Sequence, residues 1–353
     1  MAKKVRMGFV GAGLMGQLAH LANYAVLPDV ELVALAEGRR KTAELVAARY
    51  GIDRTYPNHR EMLADARLDA VVAVLPYRLH HAVVPDILNA AKPCLTEKPI
   101  AVRAETGRRL AELARKQGVV YQIGYNKRSD PASQYAKRLI GEWRASAEFG
   151  PLRYARVEMP PGDWMQQAEP PLSAGEKRPT YKDQQGEPMP TWMDQKTQRL
   201  YNTFINYYVH QLNLLRYLLG EDYRVRYADP AGLTFSATTD TGVTATFEMA
   251  AYHCRDHWEE TYTVCFEKGY VRVEVPAPMA RQAGRVKVYK GAGDVTACEA
   301  PLMKSRWSMR EQARRFIESV RDGRPNISPP EDAVKDLEVA EQYVRCLLAS
   351  RGG

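Results

Sequence analysis

Glycines near the start of the chain are spaced as in a turn that holds phosphates. The run, which we call the glycine motif, reads Gly11-Ala12-Gly13-Leu14-Met15-Gly16. It lies between a strand-like apolar run, 5–10, and a helix-like run, 17–22. In such a turn Gly11 permits the tight bend, Gly13 lets the backbone approach a pyrophosphate, and Gly16 lets the helix lie close to the sheet. The helix N-terminus then offers unpaired N–H groups and a positive dipole end to phosphates. The motif therefore predicts dinucleotide binding by the three glycines, Leu14 and Met15. A glycine-rich turn that binds nothing is the alternative.

An acidic residue follows the motif at a spacing that bears on the cofactor. Glu37 comes about 20 residues after the last glycine, as a dinucleotide-binding βαβ unit requires. A carboxylate there accepts hydrogen bonds from both ribose hydroxyls and repels a 2′-phosphate, which favours NAD. Arg39 and Arg40 could instead bind that phosphate, or could be the solvated start of the next helix. Because Glu37 comes first, at the predicted strand end, we predict NAD and count Arg39 among the cofactor-binding residues, with NADP as the less favoured cofactor.

A lysine follows another predicted strand, 94–96. It is part of Glu97-Lys98-Pro99. Ligands of open α/β sheets bind at the carboxyl ends of the strands. Lys98 is therefore expected to reach a bound dinucleotide, although a solvated surface lysine is the alternative.

Strand and helix patterns alternate through the first 125 residues. The predicted strands are 5–10, 31–36, 69–75, 94–96 and 119–123, and the predicted helices are 17–22, 41–50, a short one capped by Asn58, 79–90 and 103–117. The run 69–75 is almost wholly apolar, as in a strand covered on both faces. This alternation predicts a doubly wound parallel sheet.

The pattern changes after residue 126. A helix at 132–143 and a strand at 152–159 precede a proline-rich stretch, 160–199, which is interpreted as a lid, an arm on a partner subunit or a disordered segment. A single helix, 200–219, alternating strands over 225–275 and two helices, 309–321 and 331–348, complete the chain. The strands predict an antiparallel sheet. We therefore predict a dinucleotide-binding domain, 1–125, and a substrate-binding and oligomerisation domain, 126–353, with its last helices able to pack back on the first.

Composition excludes several classes of protein. The chain has 353 residues and a net charge of +8, but its basic residues form no long stripe and no nucleic-acid-binding motif. No apolar run is long enough to span a bilayer, and residues 1–4 lead into the first strand without the apolar region of a signal peptide. The five cysteines are scattered, without a CxxC pair. We therefore expect a cytoplasmic protein with reduced thiols, no metal site, no nucleic-acid partner and no membrane partner.

Together these motifs resemble those of the glucose-fructose oxidoreductase / inositol dehydrogenase / MocA family, over nearly the whole chain outside 160–199. The resemblance rests on the glycine motif, Glu37, Pro76 with His80, Glu97-Lys98-Pro99, Gly124-Tyr125-Asn126-Lys127-Arg128 and the closing run 316–325. It implies a Rossmann domain followed by an α/β domain with a large, open, mostly antiparallel sheet. It also implies a homo-oligomer, a dimer or tetramer, formed through that sheet, and a site between the domains.

The resemblance also implies roles for individual residues. Pro76, His80 and Glu97 would join the cofactor site. Lys98 would contact both the substrate and the nicotinamide ribose. The substrate pocket would be lined by Tyr125, Asn126, Arg128, Asn206 and Trp164, the last as a ring for stacking on a sugar or as ordinary packing.

One helix departs from the family pattern. Relatives carry Asp-x-x-x-His-x-x-Asp, whereas this chain carries Asn206, His210 and Asn213. An asparagine can orient the imidazole but brings no charge, so His210 is expected to be a weaker base than in relatives. The proton of the reacting alcohol is assigned to Lys98, His210 or Tyr207; a hydrogen-bonded core histidine is the alternative for His210.

Three functions remain open at this stage. The first is an NAD-dependent oxidoreductase that takes a hydride from a secondary alcohol of a sugar, glycoside or cyclitol. The second is an NAD-dependent glycoside hydrolase that oxidises the sugar transiently, eliminates the aglycone, adds water and reduces the sugar again. The third is a non-catalytic NAD-binding sensor.

Overall fold

The computed structural model describes residues 4–160, 162–179, 185–250, 257–291, 294 and 296–352. The chain forms two compact units, each built from three stretches of sequence. Unit 1 comprises the described residues of Met1–Tyr125, Glu169–Gln198 and Met309–Leu337; unit 2 comprises those of Asn126–Ala168, Arg199–Ser308 and Glu338–Gly353. Part of the proline-rich stretch and part of the closing helices thus belong to unit 1. The functional assignment of the two predicted domains stays a prediction.

Unit 1 is built around a parallel sheet. Its strands are β1 Val5–Val10, β2 Val30–Ala36, β3 Arg54–Tyr56, β4 Ala70–Ala73, β5 Cys94–Thr96 and β6 Tyr121–Ile123. They lie in the order β3-β2-β1-β4-β5-β6, and every neighbouring pair is parallel. This is the doubly wound order that places a binding crevice at the carboxyl ends of the strands, where the order reverses beside β1. The predicted parallel sheet is confirmed.

Helices connect these strands. They are a π-helical segment Gly16–Leu21 that continues into α1 Ala22–Tyr24, then α2 Arg40–Tyr50, α3 His59–Asp65, α4 His80–Asn89 and α5 Ala104–Gln117. The predicted cap of α3 is present, because the Glu61 amide donates to the Asn58 side chain over 3.0 Å.

Unit 2 contains a larger sheet of mostly antiparallel strands. They are β7 Leu152–Glu158, β8 Tyr223–Ala228, β9 Thr234–Thr239, β10 Thr244–Glu248, β11 Thr261–Phe266, β12 Gly269–Glu274, β13 Arg285–Lys290 and β14 Ala297–Glu299. The order is β14-β13-β12-β11-β7-β10-β9-β8, and only β7 and β10 pair in parallel among these strands. The predicted second sheet is confirmed and extends past residue 275 through β13 and β14.

Three helices accompany this sheet: α6 Pro131–Ser146, α7 Gln195–Tyr207 and α8 Val209–Leu219. The prediction of one helix over 200–219 is wrong, because the helix begins earlier and is interrupted at Tyr208. The Gln211 amide reaches back three residues, to the Tyr208 carbonyl at 3.0 Å, and this tighter turn starts α8. The side chains of Asn206 and His210 therefore do not lie on one continuous helix.

The last two helices, α9 Ser308–Asp322 and α10 Pro330–Ser350, were predicted with nearly the same bounds. In α9, Phe316 and Ile317 are buried in the core that also holds Phe9 and Leu21. The core of unit 1 is therefore shared between the two ends of the chain.

The stretch 160–194 contains no helix or strand among its described residues. No described helix is long and apolar enough to cross a membrane. Four of the cysteines are free thiols, and Cys254 lies outside the described residues.

Candidate functional site

The glycine motif forms a turn that requires glycine at two positions. Gly11 has a φ of +91°, and a Cβ on it would lie 2.3 Å from the Val74 carbonyl oxygen. A Cβ on Gly16 would lie 2.7 Å from the carbonyl oxygen of Gly11. Backbone atoms therefore exclude any larger residue at both positions, because backbone atoms cannot move aside as side chains do. The half-buried Leu14 and Met15 follow in the first helical turn. The turn thus leads β1 directly into a helix whose N-terminus lies at the sheet edge.

Glu37, at the end of β2, is held by several donors. Its carboxylate accepts from the Ala12 amide at 2.9 Å and from the Arg39 guanidinium at 2.8 and 2.9 Å. Burial acts to raise the pKa of Glu37, but the hydrogen bonds from Arg39 and Ala12 outweigh it, so the pKa is lowered. Arg39 also donates to the Ala12 carbonyl at 3.2 Å. The sequence predicted that Glu37 repels a 2′-phosphate and that Arg39 could bind one. In the structure the two side chains form one neutral pair beside the glycine motif.

The turn after β4 carries two predicted cofactor residues. Pro76 is exposed and begins the turn. His80 is fully buried, with its Nδ1 3.0 Å from the Ile100 carbonyl oxygen, to which it donates. Burial lowers the pKa of His80 to about 4. The imidazole is thus neutral and packs inside unit 1, linking this turn to the segment after Lys98.

Glu97 and Lys98 follow β5 together. The Glu97 carboxylate lies 2.7 Å from Nε2 of His20, a buried residue of the π-helical segment after the glycine motif. Burial acts to raise the pKa of Glu97, but the contact with His20 and the charge of Lys98 outweigh it and lower the pKa. Lys98 is half-buried, and its peptide bond to Pro99 is cis. His20 therefore ties the loop that carries Lys98 to the helix of the glycine motif.

Residues 169–179 and 185–194 of the proline-rich stretch pack against the turns and helices that follow the parallel strands of unit 1. We call these residues the arm. Gln17 and Leu172 exchange two hydrogen bonds of 2.9 Å between the Gln17 side-chain amide and the Leu172 backbone. Glu176 accepts from the Thr42 amide at 2.8 Å and the Lys41 amide at 3.1 Å, at the N-terminus of α2. This half of the arm thus joins the turns that follow β1 and β2.

The other half of the arm reaches the turns after β4 and β5. Glu187 is buried, and its carboxylate accepts from the Val102 amide at 2.7 Å and from Arg103 at 3.3 Å. The Glu187 amide donates to the Arg78 carbonyl at 2.7 Å, and the Arg78 guanidinium donates to the Glu187 carbonyl at 3.0 Å. The arm therefore contacts the carboxyl-end turns of four neighbouring strands, β2, β1, β4 and β5.

Two predicted substrate residues, Asn126 and Arg128, are buried within unit 2. Asn126 donates to the Ser308 hydroxyl at 2.8 Å. Arg128 donates to the side-chain oxygen of Asn213 at 2.5 Å and lies 4.9 Å from the centre of the Tyr217 ring. Tyr125 is the last residue of its stretch of unit 1 and is also buried. The interior contacts of Asn126 and Arg128 fix the start of unit 2; their role as substrate ligands stays a prediction.

Lys127, between Asn126 and Arg128 in the sequence, forms a buried ion pair that the sequence did not reveal. Its ammonium lies 2.6 Å from both carboxylate oxygens of Glu260. The same carboxylate accepts from Gln211 at 2.8 Å and from the Tyr262 hydroxyl at 2.5 Å. Burial lowers the pKa of Lys127 although Glu260 acts in the opposite direction. Glu260 therefore fastens the start of α8, next to His210, to the start of unit 2 and to β11.

The remaining predicted residues lie at the junction of α7 and α8 and before the arm. Asn206 is exposed, and Tyr207 and His210 are half-buried. The rings of Tyr207 and Tyr208 meet edge to face, 5.1 Å between centres. Trp164 is half-buried, and its carbonyl accepts from the Met279 amide at 3.3 Å. Lys98 belongs to unit 1 and His210 to unit 2.

The residues of the parallel sheet and its helices are similar to known proteins. Residues 5–125 match the model of the GFO_IDH_MocA family, described as an oxidoreductase family with an NAD-binding Rossmann fold. The scyllo-inositol 2-dehydrogenase (NAD(+)) of Bacillus subtilis (strain 168) is 31% identical over 141 residues, which cover 40% of this chain and 41% of that protein. The D-glucoside 3-dehydrogenase of Escherichia coli (strain K12) is 30% identical over 124 residues, 35% of each chain. These alignments span less than half of the relatives' own lengths.

A solved structure resembles the whole chain. A putative NADPH-dependent oxidoreductase from Desulfitobacterium hafniense DCB-2 has a TM-score of 0.79 at 16% identity, covering 99% of this chain and 97% of that one. At this identity the likeness establishes the fold.

Proposed function

We propose that this chain is an NAD-dependent oxidoreductase, because residues 5–125 match the model of the GFO_IDH_MocA family, an oxidoreductase family with an NAD-binding Rossmann fold. Its substrate is a secondary alcohol of a sugar, glycoside or cyclitol. The observation that carries the proposal is the glycine motif, where Gly11 and Gly16 are closed to side chains by backbone atoms and Glu37 lies against the Ala12 amide. The substrate class is supported by the inositol and glucoside dehydrogenases among the relatives.

One side chain binds the substrate hydroxyl, and another accepts its proton. When bound, NAD supplies a hydride acceptor, so the alcohol carbon loses a hydride while its hydroxyl loses a proton. Lys98 binds that hydroxyl, and its charge helps to lower the pKa of the adjacent Glu97 carboxyl. His210 accepts the proton, with Tyr207 as the other candidate proton carrier. Arg39 and Glu37 hold the ribose side of the cofactor site.

The asparagines of unit 2 motivate a second candidate function. In the run that resembles the family's Asp-x-x-x-His-x-x-Asp pattern, this chain has Asn206 and Asn213, and the side-chain oxygen of Asn213 accepts from the buried Arg128. Because both carboxylates of the pattern are replaced, we propose as the alternative a redox-neutral cycle, in which the hydride returns to the sugar after elimination of an aglycone and addition of water. The net reaction is then hydrolysis of a glycoside.

The deciding experiment follows NADH and aglycone release together. Purified protein is incubated with NAD and a panel of sugars, cyclitols and aryl glycosides, and products are identified by mass spectrometry. Stoichiometric NADH with a keto product supports the dehydrogenase; aglycone release without NADH supports the hydrolase. If panel members bind but none is converted, both the dehydrogenase and the hydrolase are contradicted, and the protein is a non-catalytic sensor.

Substitution of Lys98 tests the site. Lys98→Met is expected to lower turnover about 10²- to 10³-fold, because loss of one donor to a developing oxyanion typically costs that much, while most of the affinity for NAD is kept. The matched control is Lys116→Met, on an exposed position of α5. Near-normal activity of Lys98→Met contradicts the assignment.

A further inference from the structure

The arm follows the edge of the sheet where a dinucleotide lies in this fold. Ligands of a doubly wound sheet bind outside the carboxyl ends of the strands, at the reversal of strand order. Leu172 joins the helix after β1, Glu176 joins the start of α2, and Glu187 joins the turns after β4 and β5. The arm therefore runs past the adenosine end of that crevice and past its nicotinamide end.

Two oppositely charged residues of the arm lie at two different parts of the crevice. A Cβ on Gly13 would lie 3.2 Å from a guanidinium nitrogen of Arg178. Gly13 is the glycine whose open side admits a pyrophosphate in this motif. Because Arg178 is exposed and its guanidinium lies at that open side, it can donate to phosphate oxygens, for which its planar fork is suited.

Glu176 brings a negative charge to the other part, the N-terminus of α2. Besides the two backbone amides, the Thr42 hydroxyl donates to it at 3.1 Å. Partial burial acts to raise the pKa of Glu176, but the hydrogen bonds from Thr42 and Lys41 outweigh it and lower the pKa. The carboxylate thus occupies the donors with which a helix N-terminus holds an anion.

Glu176 adds a second carboxylate to this region of unit 1, where it interacts electrostatically with Lys41 and Arg39. Glu37 is neutralised by Arg39 at 2.8 Å, so this pair by itself discriminates little between a ribose hydroxyl and a phosphate. A 2′-phosphate near the start of α2 would meet Glu176 in addition, and like charges at close range repel.

We propose that the arm is a built-in part of the cofactor site, in which Arg178 binds the pyrophosphate of NAD and Glu176 excludes the 2′-phosphate of NADP. This deepens the proposed function, because it rests on NAD binding but is independent of the chemical step. The arm thereby adds two charged contacts of its own to the glycine motif and to the start of α2.

The pyrophosphate contact is tested by calorimetry with NAD, ADP-ribose and adenosine, without any sugar. Arg178→Gln is expected to weaken NAD and ADP-ribose about tenfold, a loss that shrinks at high salt, and to leave adenosine unchanged. Lys177→Gln, an exposed neighbour of the same charge, is the control and is expected to bind all three as the wild type does. Unchanged or tighter NAD binding by Arg178→Gln overturns the contact; tighter binding shows that the arm competes with the cofactor.

The exclusion of the 2′-phosphate is tested with AMP and adenosine 2′,5′-bisphosphate. Glu176→Gln keeps an acceptor oxygen for the α2 amides and removes the charge. The ratio of affinities for the bisphosphate over AMP, and for NADP over NAD, is expected to rise about tenfold. Glu169→Gln, exposed on the same arm, is the control. Unchanged ratios overturn the exclusion.

These binding assays test the role of the arm in cofactor binding separately from the proposed oxidoreductase activity. A protein that binds NAD with the expected Arg178 and Glu176 effects but turns over nothing supports the arm and contradicts the oxidoreductase. If the protein oxidises sugars, but Arg178→Gln binds NAD as the wild type does and Glu176→Gln keeps the wild-type ratio of NADP to NAD affinity, the oxidoreductase is supported and the role of the arm is contradicted.

Discussion

One charged pair in each unit shows two contrasting arrangements. In unit 1, Glu37 and Arg39 lie two positions apart at the turn after β2, beside the Ala12 amide. In unit 2, Lys127 and Glu260 lie 133 positions apart and are enclosed. A pair at a strand end keeps its charges near a ligand, whereas a buried pair uses them to fix the backbone. Substitutions of the first pair should therefore mainly change binding, and substitutions of the second should mainly change stability.

The largest effect is expected from breaking the buried pair. Glu260→Gln leaves the Lys127 ammonium without its carboxylate and is expected to lower the free energy of unfolding by about 3–5 kcal/mol. Urea unfolding followed by tryptophan fluorescence measures it. Glu299→Gln is the matched control, because Glu299 is exposed and pairs with Lys290 at 2.8 Å; its expected cost is below about 1 kcal/mol.

A double substitution sharpens this result. Lys127→Met with Glu260→Leu removes both charges and is expected to recover most of the lost stability, because well-packed apolar side chains often replace a buried pair at little cost. A Glu260→Gln variant as stable as Glu299→Gln would show that the pair does not fix unit 2.

The next largest effect is a pair of opposite pH dependences. Burial lowers the pKa of His80 in unit 1 from 6.5 to about 4. Its contribution to stability is therefore complete above pH 6.5 and is lost as the pH falls toward 4, because the unfolded chain binds the proton first. Burial raises the pKa of Asp130 in unit 2 from 3.8 to about 6, despite hydrogen bonds from the Ala132 and Gly284 amides. Its contribution is complete below pH 3.8 and is lost as the pH rises through 6.

Each shift corresponds to about 3 kcal/mol across its window. Unfolding free energies of the wild type, His80→Asn and Asp130→Asn are compared at intervals from pH 4 to 7.5. The advantage of the wild type over His80→Asn is expected to shrink with falling pH, and its advantage over Asp130→Asn with rising pH. Differences that do not depend on pH would refute the assignment of these groups.

The smallest expected effect is the difference in stability cost between alanine substitutions at two glycines that both have positive φ. Gly11→Ala is expected to cost about 3 kcal/mol and to abolish NAD binding, because its Cβ would meet the Val74 carbonyl at 2.3 Å. Gly51→Ala has φ of +65° but no atom within 4 Å of the added Cβ, so only the backbone cost of about 1 kcal/mol is expected. Equal costs for the two would mean that the turn relaxes around residue 11.

The sequence was most informative where structure is local. The parallel sheet followed from alternation of strands and helices, and the glycine motif from spacing within a few residues. The interruption at Tyr208 could not be predicted, because the helical pattern continues through it. Partners such as Glu260 for Lys127 also could not be predicted, since pairing across 133 positions leaves no local pattern. The docking of Glu176 on α2 was hidden for a related reason, because the arm has no periodicity to place it.

The division of the unit 1 core between the two chain ends governs how the molecule is made. Phe9 and Leu21 emerge early from a ribosome, but Phe316 and Ile317, which complete their core, emerge near the end. At typical rates the interval is roughly 15–60 s. During that time the first sheet has an uncovered apolar face while the second unit is already being synthesised. Nascent chains are therefore expected to need a chaperone at this face, and a protein ending before residue 309 is expected to aggregate although its nucleotide-binding motif is intact.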